Sequence, residues 1–377
     1  MHSSAHDFDP EDLVARIDPK FKLVWDRLPS EARRALALYF LPHNSQKDVL
    51  EPTRPRVVKW YCPFAAQCDF PTGHRYCINV YTGCAHRCEY CYAHAYEPND
   101  AATKKDFVRF IARDVEDLEE FDVPAAPVHL SNSTDPFQPL ETAAGHTRLT
   151  LEEILRHRRR FTTATILTKD PLRPVQLGYL DLFAALGALP PEHARRAEFS
   201  RHGQPGFVME VSLAFWRPEA AARYDPGAPS IDERVAGLRA LHAAGIPLVL
   251  RIDPLFPRSP LPTQPASSLG NFDLPEAQTL ADLESLVALA KELNVRHVVY
   301  SPVKIVQPRG RKLSPTMQAL RRVYQACALP DKPVFRGGSW RLPDAVAREH
   351  VVQPFLEICR RHGVKAKYCK HNLIETP

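Results

Sequence analysis

From residue 78 onward the chain alternates between two hydrophobic rhythms. Short, nearly continuous apolar runs occur at INVYTG (78–83), APVHLS (126–131), TATILT (163–168), GFVMEVSL (206–213), IPLVLRID (246–253) and RHVVYSP (296–302). Between them lie stretches with apolar residues at helical spacing, among them RLTLEEILRHRRR, SIDERVAGLRALHAAG, TLADLESLVALAKEL and SPTMQALRRVYQAC. Six strand–helix units in succession predict an α/β fold, a parallel sheet with helices outside it. Strands this apolar are expected where both faces are buried. Six units fall short of a closed eight-stranded barrel, so the expected architecture is an open, partial (β/α)6 barrel. A doubly wound sheet is the competing topology.

The flanks differ. Residues 1–60 read as an N-terminal helical extension, in which DPEDLVARI and SEARRALALYFL each open on an acid or a serine before helical spacing begins. Residues 61–305 form the expected barrel, with 61–77 a candidate auxiliary metal loop, and residues 306–377 a C-terminal cap. Within the cap, PDAVAREHVVQPFLEICRRHG predicts a closing helix interrupted or kinked at Pro354. No repeat of fixed period is visible.

Composition narrows the class. The 377 residues are 44% hydrophobic and 25% charged, as in globular proteins. No apolar run approaches the roughly 20 residues that span a bilayer, and the polar start MHSSAHDFDPEDL lacks the character of a signal peptide. A cytoplasmic, reducing setting is therefore expected, in which nine cysteines read as metal ligands or buried thiols rather than disulfides. Forty-nine basic against 44 acidic residues give +5, which permits a polyanionic partner without requiring one. Thirty-six prolines, set singly between apolar segments, stiffen the loops.

Chemistry in α/β folds gathers at the C-terminal ends of the strands. Here those ends are Gly83-Cys84, Ser131 to Pro136, Thr168-Lys169-Asp170, Ser212, Arg251 to Pro254, and Ser301-Pro302. They are polar and are expected on one rim. The first carries NVYTGCAHRCEYCYAHAY, with three residues between Cys84 and Cys88 and two between Cys88 and Cys91. Three thiolates this close suit an iron–sulfur cluster with one iron left open to an outside ligand. A structural zinc completed by His86 or His94 is the alternative.

Further cysteines, Cys62, Cys68 and Cys77, precede the motif and could ligate a second iron–sulfur cluster or a zinc, with Cys369 from KAKYCKHN. Buried thiols, or a zinc site using His74, are the other readings. Cys327 and Cys359 lie singly in apolar helical patterns and are expected in the core. Basic groups gather at RHRRR (156–160), expected as an exposed helix face, and at QPRGRK (307–312) and FRGGSWR (335–341). In the last two, Arg309, Arg311, Lys312, Arg336 and Trp340 would suit phosphate contact and base stacking, with solvated loops as the alternative.

GCAHRCEYCYAHAY resembles the cluster motif of the radical S-adenosylmethionine (SAM) superfamily, with Tyr90 as the aromatic residue before the third cysteine. NSTDPFQPLETAAGHTRLTLEEIL and TATILTKDPL are similar to its spore photoproduct lyase-like branch. The resemblance covers about residues 75–305. It implies a partial barrel, a 4Fe-4S cluster on Cys84, Cys88 and Cys91, and SAM on the open iron. One electron, from a donor such as flavodoxin or ferredoxin, would cleave SAM to methionine and a 5′-deoxyadenosyl radical that abstracts a substrate hydrogen. Tyr90, Asn132, Ser133, Lys169, Ser212 and Arg251 are then the candidate SAM contacts. Asn132 and Ser133 would meet the amino group, Lys169 the carboxylate, and Ser212 and Arg251 the ribose or carboxylate. Arg251 could equally pair with Asp253. Leu130 stands where spore photoproduct lyases carry a hydrogen-donating cysteine, so that repair reaction is not carried over. Three functions follow: hydrogen abstraction from a nucleotide or nucleic acid, modification of a peptide or small metabolite, or a metal-stabilised nucleic-acid-binding module without catalysis.

Overall fold

Seven strands pair side by side in chain order, all parallel: β1 (Tyr76–Ile78), β2 (Ala126–Leu130), β3 (Phe161–Thr168), β4 (Phe207–Ser212), β5 (Leu248–Arg251), β6 (Val298–Tyr300) and β7 (Ala366–Tyr368). The structure is a computed structural model describing residues 26, 29–40, 56–59, 76–98, 100–188, 206–330 and 333–369. The expected mixed α/β class is thus the one adopted. A doubly wound sheet reverses its strand order at a switch point, and this order has no reversal.

Alternation along the strands separates two environments. Val128, Leu130, Ala164, Ile166, Met209, Val211, Leu248, Leu250, Val298 and Tyr300 are buried in the main core. Fully burying such a side chain contributes roughly 1.5–3 kcal/mol. The intervening residues, among them His129, Thr165, Glu210, Ser212, Arg251 and Val299, line a large cavity instead. The expectation that both faces are covered by core therefore needs correction. One face packs in the core, and the other is polar toward the strand ends.

The helices follow the predicted spacing. Ile231–Ala243, Leu280–Glu292 and Pro315–Ala326 begin at Ser230, Thr279 and Ser314, whose side chains accept backbone N–H groups of the first turn. The closing helix runs on through Pro354, which sits in the first turn of the α-helix Gln353–His362, and the expected disturbance takes the form of a π-helical segment, Ala347–Val352, just before it. Proline has no N–H to continue the ladder. The chain then returns as β7, a strand that the polar sequence KAKY did not announce. Cys327 and Cys359 are buried in the core as expected.

Of the N-terminal stretch, the helix Ser30–Phe40 is present, while DPEDLVARI lies outside the described residues. Arg56 docks this stretch, ion-paired in a buried site with Asp114 at 3.0 Å and with Asp117. RHRRR is not an exposed face throughout. Arg158 donates to the carbonyls of Phe161, Leu186 and Gly206, and Arg160 pairs with Glu119 and Asp122. Their guanidinium groups satisfy backbone carbonyls and the largely buried Glu119, while Asp122 is exposed. Among the described residues, no helix is long and apolar enough to cross a membrane.

Candidate active site

All six strand ends named from the sequence open into one cavity of about 1390 Å³. Cys84, Cys88, Tyr90, Cys91, Asn132, Ser133, Lys169, Ser212 and Arg251 all line it, as does Cys369.

The cysteine loop is seated by backbone. Gly83 holds φ +66, and a Cβ there would meet the Asp100 carbonyl oxygen at 2.1 Å. Gly227 lies so close beneath the loop that a Cβ would meet the Ala85 carbonyl oxygen at 2.1 Å. Only glycine fits either place. The segment around Gly227 also pairs with the loop: Glu89 N donates to Tyr224 O at 2.9 Å and Gly227 N to His86 O at 3.0 Å.

Two buried carboxylates fix the loop to the sheet. Asp135 lies 3.0 Å from Nε2 of His86 and accepts from Phe137 N, Thr168 Oγ1 and Lys169 N. Burial alone would raise its pKa; His86 and the two amides outweigh that and hold it below the usual carboxylate value. Asp225 accepts from the Tyr90 hydroxyl at 2.7 Å, from Arg234 Nη1 at 3.0 Å and from Lys169 Nζ at 3.3 Å. Against its burial, Lys169 and then Arg234 hold its carboxyl far below the ordinary value. Lys169 Nζ also donates to Tyr90 at 2.7 Å and to Ser212 Oγ at 2.9 Å.

Other predicted contacts are engaged locally. Asn132 donates its amide to Cys77 Sγ, and its carbonyl accepts from Tyr92. Ser133 Oγ pairs with the Tyr96 hydroxyl at 3.0 Å, and its N–H donates to Asn79. Arg251 is taken up by Glu210 and Asp253, each at 2.7 Å, and by Cys369. The structural pairing with Asp253 is therefore the one observed, with Glu210 as a second partner.

Cys84, Cys88 and Cys91 lie together on the cavity wall. Zinc at about 2.3 Å from each sulfur needs sulfurs about 3.8 Å apart, and among the described residues no three His, Cys, Asp or Glu side chains gather to hold one ion. Burial, then Asp135, pushes the Cys84 thiol up to about 12, and burial raises Cys88 and Cys91 as well. Nearby, two cations, the partly buried Lys169 and the fully buried Arg234, share one carboxylate, Asp225. Anionic ligand groups would balance that excess.

Only two of the four candidate auxiliary ligands, Cys77 and Cys369, lie among the described residues. Cys62 and Cys68 lie outside the described residues. Cys77 and Cys369 stand on or beside opposite edge strands, with separate partners.

Asp225, Arg234 and Gly227 were missed by sequence reasoning. YDPGAPS reads as an ordinary turn, and Arg234 sits in a regular amphipathic pattern, so only the tertiary contact reveals them.

No family model and no curated protein matches the chain. Among solved structures it is similar to a spore photoproduct lyase double mutant with bound AdoMet and dinucleoside spore photoproduct. That match has a TM-score of 0.49 and 14% identity over 78% of this chain and 76% of that one. It is also similar to the radical S-adenosylmethionine methyltransferase TsrM from Kitasatospora setae, with cobalamin and a 4Fe-4S cluster bound. There the TM-score is 0.42 and the identity 15%, over 68% of this chain and 43% of that one.

Proposed function

We propose that this chain is a radical SAM enzyme acting on a nucleic-acid substrate. The observation that carries the reading is the convergence of Cys84, Cys88 and Cys91 with Lys169 and Ser212 on one cavity. In this reading the three cysteines hold a 4Fe-4S cluster, Lys169 and Ser212 receive the SAM carboxylate, and Asn132 and Ser133 flank its amino group. A cluster with SAM on its open iron supplies, on one-electron reduction, a 5′-deoxyadenosyl radical. The chain's own part is to orient and to exclude side reactions. Cytoplasmic flavodoxin- or ferredoxin-type proteins are suitable electron donors.

The substrate class rests on the cap. Its strands Phe335–Arg336 and Ser339–Trp340 form a hairpin paired to Ile305–Val306. Phe335 is exposed and its ring lies 4.8 Å from that of Trp340. Arg311, Lys312, Arg336, Arg341 and Arg348 line the cavity beside it. Stacking rings among cations suit bases and phosphates. This part of the cap also touches the cysteine segment, where Arg309 N donates to His94 O at 2.9 Å.

Anaerobic reconstitution with iron and sulfide, then dithionite and SAM, tests the reading. The wild type should release 5′-deoxyadenosine and the Cys88→Ala variant none. A wild type that binds iron yet never cleaves SAM, with or without nucleic acid, overturns it.

A further inference from the structure

We infer that Asp225 is a positioning residue for the ligand carboxylate, acting through Lys169; the inference rests on the SAM reading above. An ammonium group has three N–H donors. Lys169 spends them on Tyr90, Ser212 and Asp225, so its position is fixed before any ligand arrives. A lysine side chain carries much rotamer freedom, and two hydroxyl acceptors alone would not counter its charge in a buried place. Asp225 does so, and its side chain is fully buried.

Three further facts separate Asp225 from an ordinary buried partner. It reaches three elements at once: the cysteine loop through Tyr90, the end of β3 through Lys169 and the helix Ile231–Ala243 through Arg234. Arg234, itself fully buried, keeps the carboxylate paired independently of the lysine and also anchors to the Pro229 carbonyl at 2.9 Å. The lysine contact, at 3.3 Å, is the longest of the three. Ser212 accepts from Lys169, which leaves its O–H to donate into the cavity. Lys169 and Ser212 thus present one cation and one hydroxyl donor side by side, the pair that a carboxylate needs. Asp225 sets where that pair stands relative to the cysteines, because the same carboxylate holds Tyr90, between Cys88 and Cys91.

The test is SAM titration of the reconstituted protein, followed by calorimetry and by the change in the cluster's electron paramagnetic resonance signal. Asp225→Asn should retain its iron and bind SAM at least tenfold more weakly. Lys169→Met should weaken binding as well, and the double variant should bind no worse than Lys169→Met by more than about twofold, because both changes remove one device. Additive losses, unchanged affinity or tighter binding in Asp225→Asn each overturn the inference while leaving the SAM reading intact. Failure of the wild type to bind SAM overturns both. Should Asp225→Asn not fold, Asp225→Glu, which keeps the charge but moves it by one methylene, should bind several-fold more weakly at unchanged melting temperature; wild-type affinity there would refute the inference.

Discussion

Nε2 of His86 lies 3.0 Å from Oδ2 of Asp135, and both side chains are buried. The pair joins the cysteine loop to the loop after β2. Nδ1 of His86 faces the Gly227 carbonyl at 3.2 Å, so the ring lies between Asp135 and the Gly227 turn. Removing the carboxylate strands a buried imidazole and two amide donors. Asp135→Ala should therefore destabilise the protein by about 3–5 kcal/mol and lower its iron content after reconstitution. Urea unfolding of the two proteins checks this, and a loss below about 1 kcal/mol would contradict the role given to the pair.

Gly227→Ala probes the same loop without altering a charge. The new Cβ would sit 2.1 Å from the Ala85 carbonyl oxygen, so the loop must move. Iron bound per chain should fall by half or more, while far-ultraviolet circular dichroism shows the sheet and helices retained. Full iron loading in this variant would mean the loop is not held where it is described.

Alkaline stability has a definite sign. Burial raises the Cys327 thiol from 9.0 to about 11 and the Cys359 thiol from 9.0 to about 12. The folded chain keeps these protons after the unfolded chain has released them. Their contribution is full below pH 9 and is lost as pH climbs toward 11 or 12, with a slope of up to about 1.4 kcal/mol per pH unit for each thiol. Denaturant unfolding at pH 9.5 to 11 should show a slope shallower by about that amount in Cys359→Ala than in the wild type. Identical slopes would show that this thiol ionises freely in the fold.

The cap hairpin gives a binding prediction. Phe335→Ala should weaken single-stranded oligonucleotide binding by about 1–3 kcal/mol, the worth of one stacked base. Lys312→Ala should instead reduce the salt dependence of log Kd by about 0.7, as expected for one lost phosphate contact on a single strand. Fluorescence anisotropy across salt concentrations measures both. Binding that ignores salt and survives both changes would point to a peptide or small metabolite instead.

What was legible in the sequence follows from what is local. Continuous apolar runs placed five of the seven strands to within a few residues, because burial in the core leaves that trace. The run at 78–83 instead meets β1 only at Ile78, and its Tyr81–Thr82 pairs with Ala102–Thr103 in a separate sheet. Strand ends then located Cys84, Asn132, Lys169 and Ser212 on one rim. β7 stayed hidden, since Lys365 and Lys367 give an edge strand a polar face. Arg251 was ambiguous because Asp253, two residues on, was a visible local partner, whereas Glu210 comes from the neighbouring strand, where pairing depends on register. Asp225 was invisible for a stronger reason: it lies more than 130 residues from the tyrosine it holds, and nothing in its own surroundings marks it.

The central claim is that Cys84, Cys88 and Cys91 leave one iron open for SAM. Electron paramagnetic resonance of the dithionite-reduced, reconstituted protein tests it most directly. The account predicts about four irons per chain and a cluster signal whose g values shift when SAM is added. A signal indifferent to SAM, or a protein that takes up one zinc and no cluster, would contradict it.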